Sequence, residues 1–236
     1  MSNKVLVFGN QKVASLSYFY LTHDSPFEVV AFTVDKAYIK EGMLCGLPIV
    51  PFEQVEAIYP PTTYKMSLFL GFRDLNRFRA IKYSQAKAKG YELVTYVSSK
   101  VIAWPDLVIG ENSMISEGAV VQPHVKIGNN VIISSGTMVG HHSVIKDHCF
   151  IASRTVLLGN VTVEPYCVLG ANCTIKDNIT ISRECIIGAG SYISEDTKEK
   201  GVYITKPAEL MAMSSDKLKR LLTWTEDVKR TKFNRS

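Results

Sequence analysis

The residues best suited to acid–base chemistry are histidines in the middle of the chain. Four of the five histidines are His124, His141, His142 and His148. In the repeat described below they occupy outward or turn positions and not core positions. An imidazole ordinarily titrates near neutral pH, so an exposed one can remove a proton from a substrate. His141 and His142, which follow Gly140, are the candidate catalytic residues, whereas His124 and His148 are more simply explained as exposed or inter-subunit histidines.

A repeat of six residues positions these histidines. One aliphatic residue recurs every six positions from Ile109 to Ile193, and the residue four further on is usually small or β-branched. A helix favours a period near 3.6 and an ordinary strand a period of 2, whereas period six is typical of a parallel β-helix. Each hexad is expected to form a short strand and a turn, and three hexads close a triangular coil. The repeat therefore predicts about five coils between Ile109 and Thr197, with residues eighteen apart stacked.

Three cysteines allow a check of this interpretation. Cys149, Cys167 and Cys185 are eighteen apart, so we expect one inward ladder in line with Ser113 and Val131. Buried cysteines commonly behave as small hydrophobic residues. The chain has no C-x-x-C unit, and we expect neither a metal site nor a catalytic thiol.

An α/β segment precedes the repeat. Residues 4–8 predict a buried strand, residues 12–22 a helix, and residues 27–34 a second strand that ends before Asp35. This order is typical of the opening of a Rossmann-like unit, although Gly9 is the one glycine where the phosphate loop of that unit has three.

Further elements are expected on both sides of the repeat. Residues 66–70 predict a third strand, and residues 74–89 predict a basic amphipathic helix. The expected inner face of this helix consists of Leu75, Phe78, Ile81 and Ala86. Its expected solvated face carries Lys82, Lys87 and Lys89. Ser215-Asp216 can cap a C-terminal helix that runs through Leu218, Leu221, Leu222 and Val228.

These segments predict three domains. Residues 1–105 are expected to form a small α/β domain with a connecting segment, residues 106–198 the β-helix, and residues 199–236 a loop and helix.

Composition limits the possible partners and the compartment. A net charge of +5 and a pI of about 8.8 do not require nucleic acid and suit an anionic small molecule equally well. The chain opens without a signal peptide pattern, and no apolar run is long enough to span a membrane. Five cysteines, an odd number, indicate reduced thiols in the cytoplasm.

The hexads also carry a family resemblance. Their aliphatic-Gly-x-x-small pattern recurs at Ile109-Gly110, Ile127-Gly128, Val139-Gly140, Leu169-Gly170 and Ile187-Gly188. With the α/β segment in front, the chain resembles the hexapeptide-repeat sugar acyltransferases, which include sialic acid O-acetyltransferases and nucleotide-aminosugar N-acetyltransferases. The resemblance implies a left-handed β-helix, a homotrimer with sites between subunits, acetyl-CoA as acyl donor, and a role in polysaccharide biosynthesis.

The resemblance also implies roles for individual residues. His141 matches the family's general base, and His142 stands where the family usually has an acidic residue that orients the base. Asp147 or a residue of a neighbouring subunit is the other candidate for that orienting role. The segments matching the family's CoA contacts are Gly170-Ala171, Gly188-Ala189 and Lys206-Pro207. The positions matching its nucleotide site are Gly9, Asn10 and Asp35.

Four functions are compatible with these residues. The first is N-acylation of a nucleotide-linked amino sugar by direct attack on the thioester, and the second is O-acylation of a sugar of the sialic acid type. A γ-type zinc carbonic anhydrase shares the β-helix and binds metal through histidines, but the α/β segment is foreign to it. A non-catalytic scaffold is the fourth.

Overall fold

A computed structural model describes residues 3–217, and their first part is a parallel sheet with helices. The elements are β1 (Lys4–Phe8), α1 (Lys12–His23), β2 (Glu28–Val34), β3 (Met43–Leu44), β4 (Leu47–Pro51), α2 (Val55–Ile58), β5 (Lys65–Ser67) and α3 (Arg77–Ala88). The sheet order is β3-β4-β2-β1-β5, and every pair except β3–β4 is parallel. The predicted strand–helix–strand opening is present, and the third strand is shorter than predicted and begins one residue earlier.

Helix α3 begins at Arg77, three residues later than the sequence predicted. Asp74, Leu75 and Asn76 have φ angles of 51°, 47° and 65°. A right-handed helix needs negative φ, so these three left-handed residues form a turn that the helix cannot include.

The inward face of α3 also differs from the prediction. Phe78 and Ala86 pack into the core as expected, but Ile81 is 54% exposed. Lys82, expected on the solvated face, is instead buried. Its ammonium group donates to the carboxylate of Asp35 and to the side chain of Gln85, and such partners make the burial of a charge tolerable.

The second part is a column of two-residue strands. Strand β6 (Tyr96–Val97) precedes the column and β22 (Val202–Tyr203) follows it. The fifteen strands between them are β7 (Val108–Ile109), β8 (Met114–Ile115), β9 (Val120–Val121), β10 (Lys126–Ile127), β11 (Ile132–Ile133), β12 (Met138–Val139), β13 (Val144–Ile145), β14 (Phe150–Ile151), β15 (Val156–Leu157), β16 (Thr162–Val163), β17 (Val168–Leu169), β18 (Thr174–Ile175), β19 (Thr180–Ile181), β20 (Ile186–Ile187) and β21 (Tyr192–Ile193).

These strands stack with the predicted register. Each pairs in parallel with the strand eighteen residues away, as Val139 does with Val121 and Leu157. Three faces result, with the orders β19-β16-β13-β10-β7, β21-β18-β15-β12-β9 and β22-β20-β17-β14-β11-β8-β6. The predicted five coils and the left-handed parallel β-helix are confirmed, and β6 and β22 extend one face at both ends.

Each hexad turns at a residue with positive φ. Such residues recur every six positions from Asn112 to Gly190. Glycine tolerates this left-handed conformation, and asparagine and histidine are enriched in it. The turns define three corners, named here for use below. The histidine corner comprises residues 123–124, 141–142, 159–160 and 177–178, the alanine corner residues 117–118, 135–136, 153–154, 171–172 and 189–190, and the docking corner residues 111–112, 129–130, 147–148, 165–166 and 183–184.

The interior of the β-helix is filled as the repeat predicts. The aliphatic residues from Ile115 to Ile193 are buried, and so are the small residues four positions on. The predicted cysteine ladder is confirmed, because Cys149, Cys167 and Cys185 are fully buried, in line with Ser113 and Val131. Burial raises the pKa of the Cys185 thiol, so these thiols serve as packing groups.

The α/β part packs on the seven-stranded face. Met114, Ile132 and Phe150 of this face share a hydrophobic core with the first sheet. At the docking corner, the buried Arg79 of α3 donates to the backbone of Asn130 and Cys149. The seven-stranded face runs between the docking and alanine corners. The histidine corner is therefore the one that points away from the α/β part.

Residues Met1–Thr205 form one compact unit, and a second unit begins at Lys206. The three-domain division remains a prediction; β6, in the connecting segment, already pairs with β8. The predicted C-terminal helix, from Leu218 onward, lies outside the described residues. Within residues 3–217 no helix is long and apolar enough to cross a membrane.

Candidate active site

His141 is an exposed side chain on the histidine corner. Its imidazole lies across Gly159, the residue one coil further on. A Cβ atom at Gly159 would come within 2.5 Å of Cε1 and 2.6 Å of Nε2 of His141. The backbone is held from both sides, since His141 N donates to Gln122 Oε1 at 2.9 Å and His141 O accepts from Asn160 N at 2.7 Å. Because Gly159 has no side chain, the imidazole of His141 can lie directly against its backbone.

His142 contacts the ring of His141. The two Nδ1 atoms are 3.1 Å apart, and the ring planes are nearly perpendicular, at 85°. His142 occupies the left-handed turn position, with φ 60°. At the position where the resemblance expects an acidic residue, this chain places an imidazole in contact with His141.

Asp147 does not make that contact. It lies on the docking corner, where its Oδ1 accepts from Asn129 N at 2.8 Å. The eighteen-residue register sets Asp147 below Asn129 and away from His141. Asp147 was one of three candidates for the orienting group, and its carboxylate is engaged elsewhere.

Two further residues continue the histidine corner above His142. The rings of His124 and His142 pack with centroids 4.7 Å apart, inclined at 55°. Asp106 Oδ2 lies 2.9 Å from His124 Nδ1 and also accepts from His124 N at 2.7 Å. The eighteen-residue stacking predicted for the repeat places His124 against His142, whereas the contact of His124 with Asp106 was not predicted.

The Nδ1–Nδ1 contact has a chemical consequence. One nitrogen must donate and the other accept, because a neutral imidazole carries one N–H and one lone pair. When His141 Nδ1 donates to His142 Nδ1, the lone pair of His141 is on Nε2. An exposed imidazole in this tautomer can remove a proton from an amine or hydroxyl.

A cleft of about 280 Å³ opens at the start of α1. Gly9 and Asn10, two of the three predicted acceptor-site positions, line it. Gly9 has φ 121°, which favours glycine, and Gln11 at the N-cap makes no side-chain capping bond. The first N–H groups of a helix are an anion site when they lack internal partners.

Arg73 also lines this cleft and was missed by sequence reasoning. Its guanidinium lies 5.0 Å from the ring centroid of Phe78. An arginine beside a helix N-terminus is suited to a phosphate. The sequence signal was a lone arginine before a predicted helix, which is not distinctive.

Asp35 is not part of this cleft. Its carboxylate pairs with the ammonium group of Lys82, which also contacts Gln85. These three residues line a separate depression with Phe52 and Lys89. The structure thus brings Gly9 and Asn10 together and sets Asp35 apart.

Two of the three predicted CoA segments lie on a different edge from His141. Gly170-Ala171 and Gly188-Ala189 stack at the alanine corner. The Gly170 position needs glycine for packing, since a Cβ there would lie 2.5 Å from Ala189 N. Lys206 and Pro207 are exposed and begin the second unit.

Within residues 3–217 no group of three histidine, cysteine or acidic side chains is placed to hold a metal ion. His148 accepts from Asn130 Nδ2 at 2.8 Å and packs against Tyr166 and Tyr83. Burial lowers the pKa of His148, which fits a neutral structural role at the docking corner.

Comparison with known proteins agrees with this fold. The sequence profile of the GMPPB C-terminal domain matches residues 95–203, somewhat less than half of the chain. No curated protein sequence matches.

Several solved structures are similar in shape. The acetyltransferase domain of PglB from Neisseria gonorrhoeae FA1090, in complex with acetyl coenzyme A, has a TM-score of 0.74 and 19% identity, covering 86% of this chain and 96% of that one. A histidine-to-asparagine mutant of perosamine N-acetyltransferase from Caulobacter crescentus, with CoA and GDP-perosamine, has a TM-score of 0.77 and 21% identity, covering 89% and 97%. WeeI from Acinetobacter baumannii AYE has a TM-score of 0.74 and 18% identity, covering 88% and 99%. The class that the chain shares with them is a left-handed β-helix fold preceded by an α/β part.

Proposed function

We propose that this protein is an acetyl-CoA-dependent N-acyltransferase that acts on the amino group of a nucleotide-linked sugar. The observation that carries the proposal is the His141–His142 pair on an exposed corner, with Gly159 leaving space beneath the base. The two acetyltransferases of similar fold described above, one bound to acetyl coenzyme A and one to CoA and GDP-perosamine, support it.

The reaction needs one base and no covalent acyl-enzyme. His141 Nε2 takes a proton as the amine nitrogen attacks the thioester carbonyl carbon. The tetrahedral centre then collapses, the C–S bond breaks, and the same proton can pass to the CoA sulfur. His142 accepts the hydrogen bond from His141 Nδ1 throughout, which keeps the reacting nitrogen outward.

The cleft at the start of α1 is the proposed acceptor site. The first turn of α1 presents backbone N–H groups to a diphosphate beside Gly9 and Asn10, and Arg73 adds a guanidinium that can bond a phosphate in two places. The apolar walls contributed by Val34 and Tyr38 suit a nucleoside. Asp35, paired with Lys82, is not included.

We further propose that the working site lies between subunits of a homotrimer. In a single chain the histidine corner points away from the α/β part, and the proposed CoA segments Gly170-Ala171 and Gly188-Ala189 lie on the alanine corner. A second copy can place its own cleft or its alanine corner against His141. Closed symmetric assembly repeats such a contact at each interface.

Transfer to a hydroxyl is the nearest alternative, because the same base serves both acceptors. A cytoplasmic location, where the buried cysteines stay reduced, and a role in polysaccharide biosynthesis are parts of the same proposal.

The test is to incubate the full chain with acetyl-CoA and a panel of acceptors, and to follow free CoA thiol and acetylated product by mass spectrometry. The panel contains nucleotide-linked amino sugars, their hydroxyl counterparts and free amino sugars. Release that requires the amino group and the nucleotide supports the proposal. Release with hydroxyl acceptors alone would establish the alternative, and the absence of both release and CoA binding would overturn both.

A further inference from the structure

We infer that Asp106 and His124 are positioning residues that hold the imidazole of His142 with Nδ1 toward His141. This inference rests on the proposed function, because it concerns the same base. It assigns a role to two exposed residues that do not contact His141 themselves.

The three residues form one column on the surface. Asp106, His124 and His142 are eighteen apart, so they occupy the same turn position of successive coils. Neighbouring coils are separated by roughly 4.8 Å, the spacing of paired strands. His124 and His142 share nearly the same left-handed φ, 65° and 60°, so their side chains leave the corner in the same direction.

Asp106 fixes the ring of His124. One carboxylate oxygen, Oδ2, accepts from the backbone N of His124 at 2.7 Å and lies 2.9 Å from its Nδ1. An ionised carboxylate can only accept, so this contact favours the form of His124 that carries its proton on Nδ1. Anchoring the ring and its own backbone to one atom leaves the imidazole little freedom to rotate.

His124 in turn restricts the rotation of the His142 imidazole. The two rings pack at 4.7 Å between centroids, while the opposite contact of His142 is with His141. His142 therefore lies between a fixed ring and the base. Without His124, the imidazole of His142 is free to turn at this exposed corner.

The orientation matters because it selects the tautomer of the base. If His142 turns or donates from Nδ1, then His141 Nδ1 becomes the acceptor and its proton lies on Nε2. That form cannot remove a proton from the acceptor substrate. Loss of the pair should lower kcat and leave substrate binding unchanged.

Nuclear magnetic resonance of the full chain labelled with ¹⁵N-histidine tests the inference without relying on activity. We would compare the native chain with Asp106→Asn, His124→Ala and the control Glu164→Gln. Glu164 pairs with Lys146 across neighbouring coils at 2.6 Å, away from the histidine corner. We expect His142 Nδ1 to be an acceptor in the native chain and the control, and to show mixed tautomers in the two other variants. An unchanged His142 signal in both would overturn the inference.

Kinetics give the second readout. Each single variant should lose roughly 3- to 10-fold in kcat, as expected when the competent state becomes one of several populated states, with KM unchanged. The double variant should lose no more than either single one, and neither should lose further activity in a His142→Ala background. Losses that add, or that fall on KM, would contradict the positioning role. A native chain that transfers no acyl group to any acceptor would instead count against the proposed function, and the resonance experiment would still decide on the pair.

Discussion

At the scale of single residues, the proposed proton transfer depends on how the imidazole of His141 is held. Its ring lies against the backbone of Gly159 on one side and contacts the ring of His142 on another. His141 was predicted as the base from the hexad and the resemblance, and the eighteen-residue stacking placed Gly159 next to it and His124 next to His142. The approach of the two Nδ1 atoms could not be predicted, because it depends on side-chain rotation at a turn.

Gly159→Ala should move the base without unfolding the protein. The new methyl group would overlap the imidazole, the movable end of a side chain, and Gly159 does not require a positive φ. A displacement near 1 Å can lower kcat about 100-fold. Steady-state kinetics and thermal unfolding would check this, with Gly42→Ala as the control, since no atom lies near that position. Full activity in Gly159→Ala would contradict the position assigned to His141.

At the scale of elements, α3 is attached to the β-helix by a buried cation. Arg79 is fully buried, and burial lowers its pKa to about 10, so it stays charged at neutral pH. Its guanidinium donates to Leu70 O, Gly71 O, Asn130 O, Asn130 Oδ1, His148 O and Cys149 O.

Arg79→Met should lower the free energy of unfolding by about 3 kcal/mol, because it leaves several buried carbonyl groups without donors. Lys87→Met on the same helix removes only an exposed ion pair with Glu111 and should cost less than about 1 kcal/mol. Urea unfolding of both variants measures the difference. Equal losses would show that Arg79 does not attach the helix.

The docking corner should also respond to pH through His148. Burial lowers its folded-state pKa, and nearby Arg79 acts in the same direction, against Asp147. As the pH falls, His148 therefore binds a proton in the unfolded chain before it does so in the folded chain. The free energy of unfolding should then fall as the pH drops below the ordinary histidine pKa of about 6.5.

His148→Asn keeps a residue type that tolerates the left-handed turn and removes the titration. Its unfolding free energy should therefore change less between pH 7.5 and pH 5.5 than that of the native chain, as measured by urea unfolding at both values. Identical slopes would exclude His148 as the group responsible.

Elements that repeat one local geometry were predicted from the sequence, whereas features of α3 were not. Period six predicted the five coils and the cysteine ladder, because each hexad repeats one local geometry. The burial of Lys82 and Arg79 was not predicted, because it depends on partners far away in the chain. The start of α3 was not predicted either, because no glycine marks the left-handed turn that precedes it. From the sequence alone, the cations of a basic helix are expected to face solvent, because their buried partners are not known.

At the scale of the whole molecule, the proposed site requires two chains. A chain with His141→Ala keeps its cleft, and one with Arg73→Ala keeps its base. Each should be inactive alone. Refolding an equal mixture should restore activity to about one quarter of the sites, since a competent site pairs one chain of each kind in a closed symmetric ring. No recovery on mixing would place the base and the acceptor cleft of one chain in the same site.

The proposed acyl transfer requires His141 to act as the base. The most direct measurement compares His141→Ala with the native chain by calorimetric binding of acetyl-CoA and by turnover with the best acceptor, with His23→Ala as an exposed control outside the β-helix. We predict retained acetyl-CoA binding and a loss of about 100-fold or more in kcat for His141→Ala alone, the range for a general base. Turnover that survives in His141→Ala would contradict the account and move the base elsewhere.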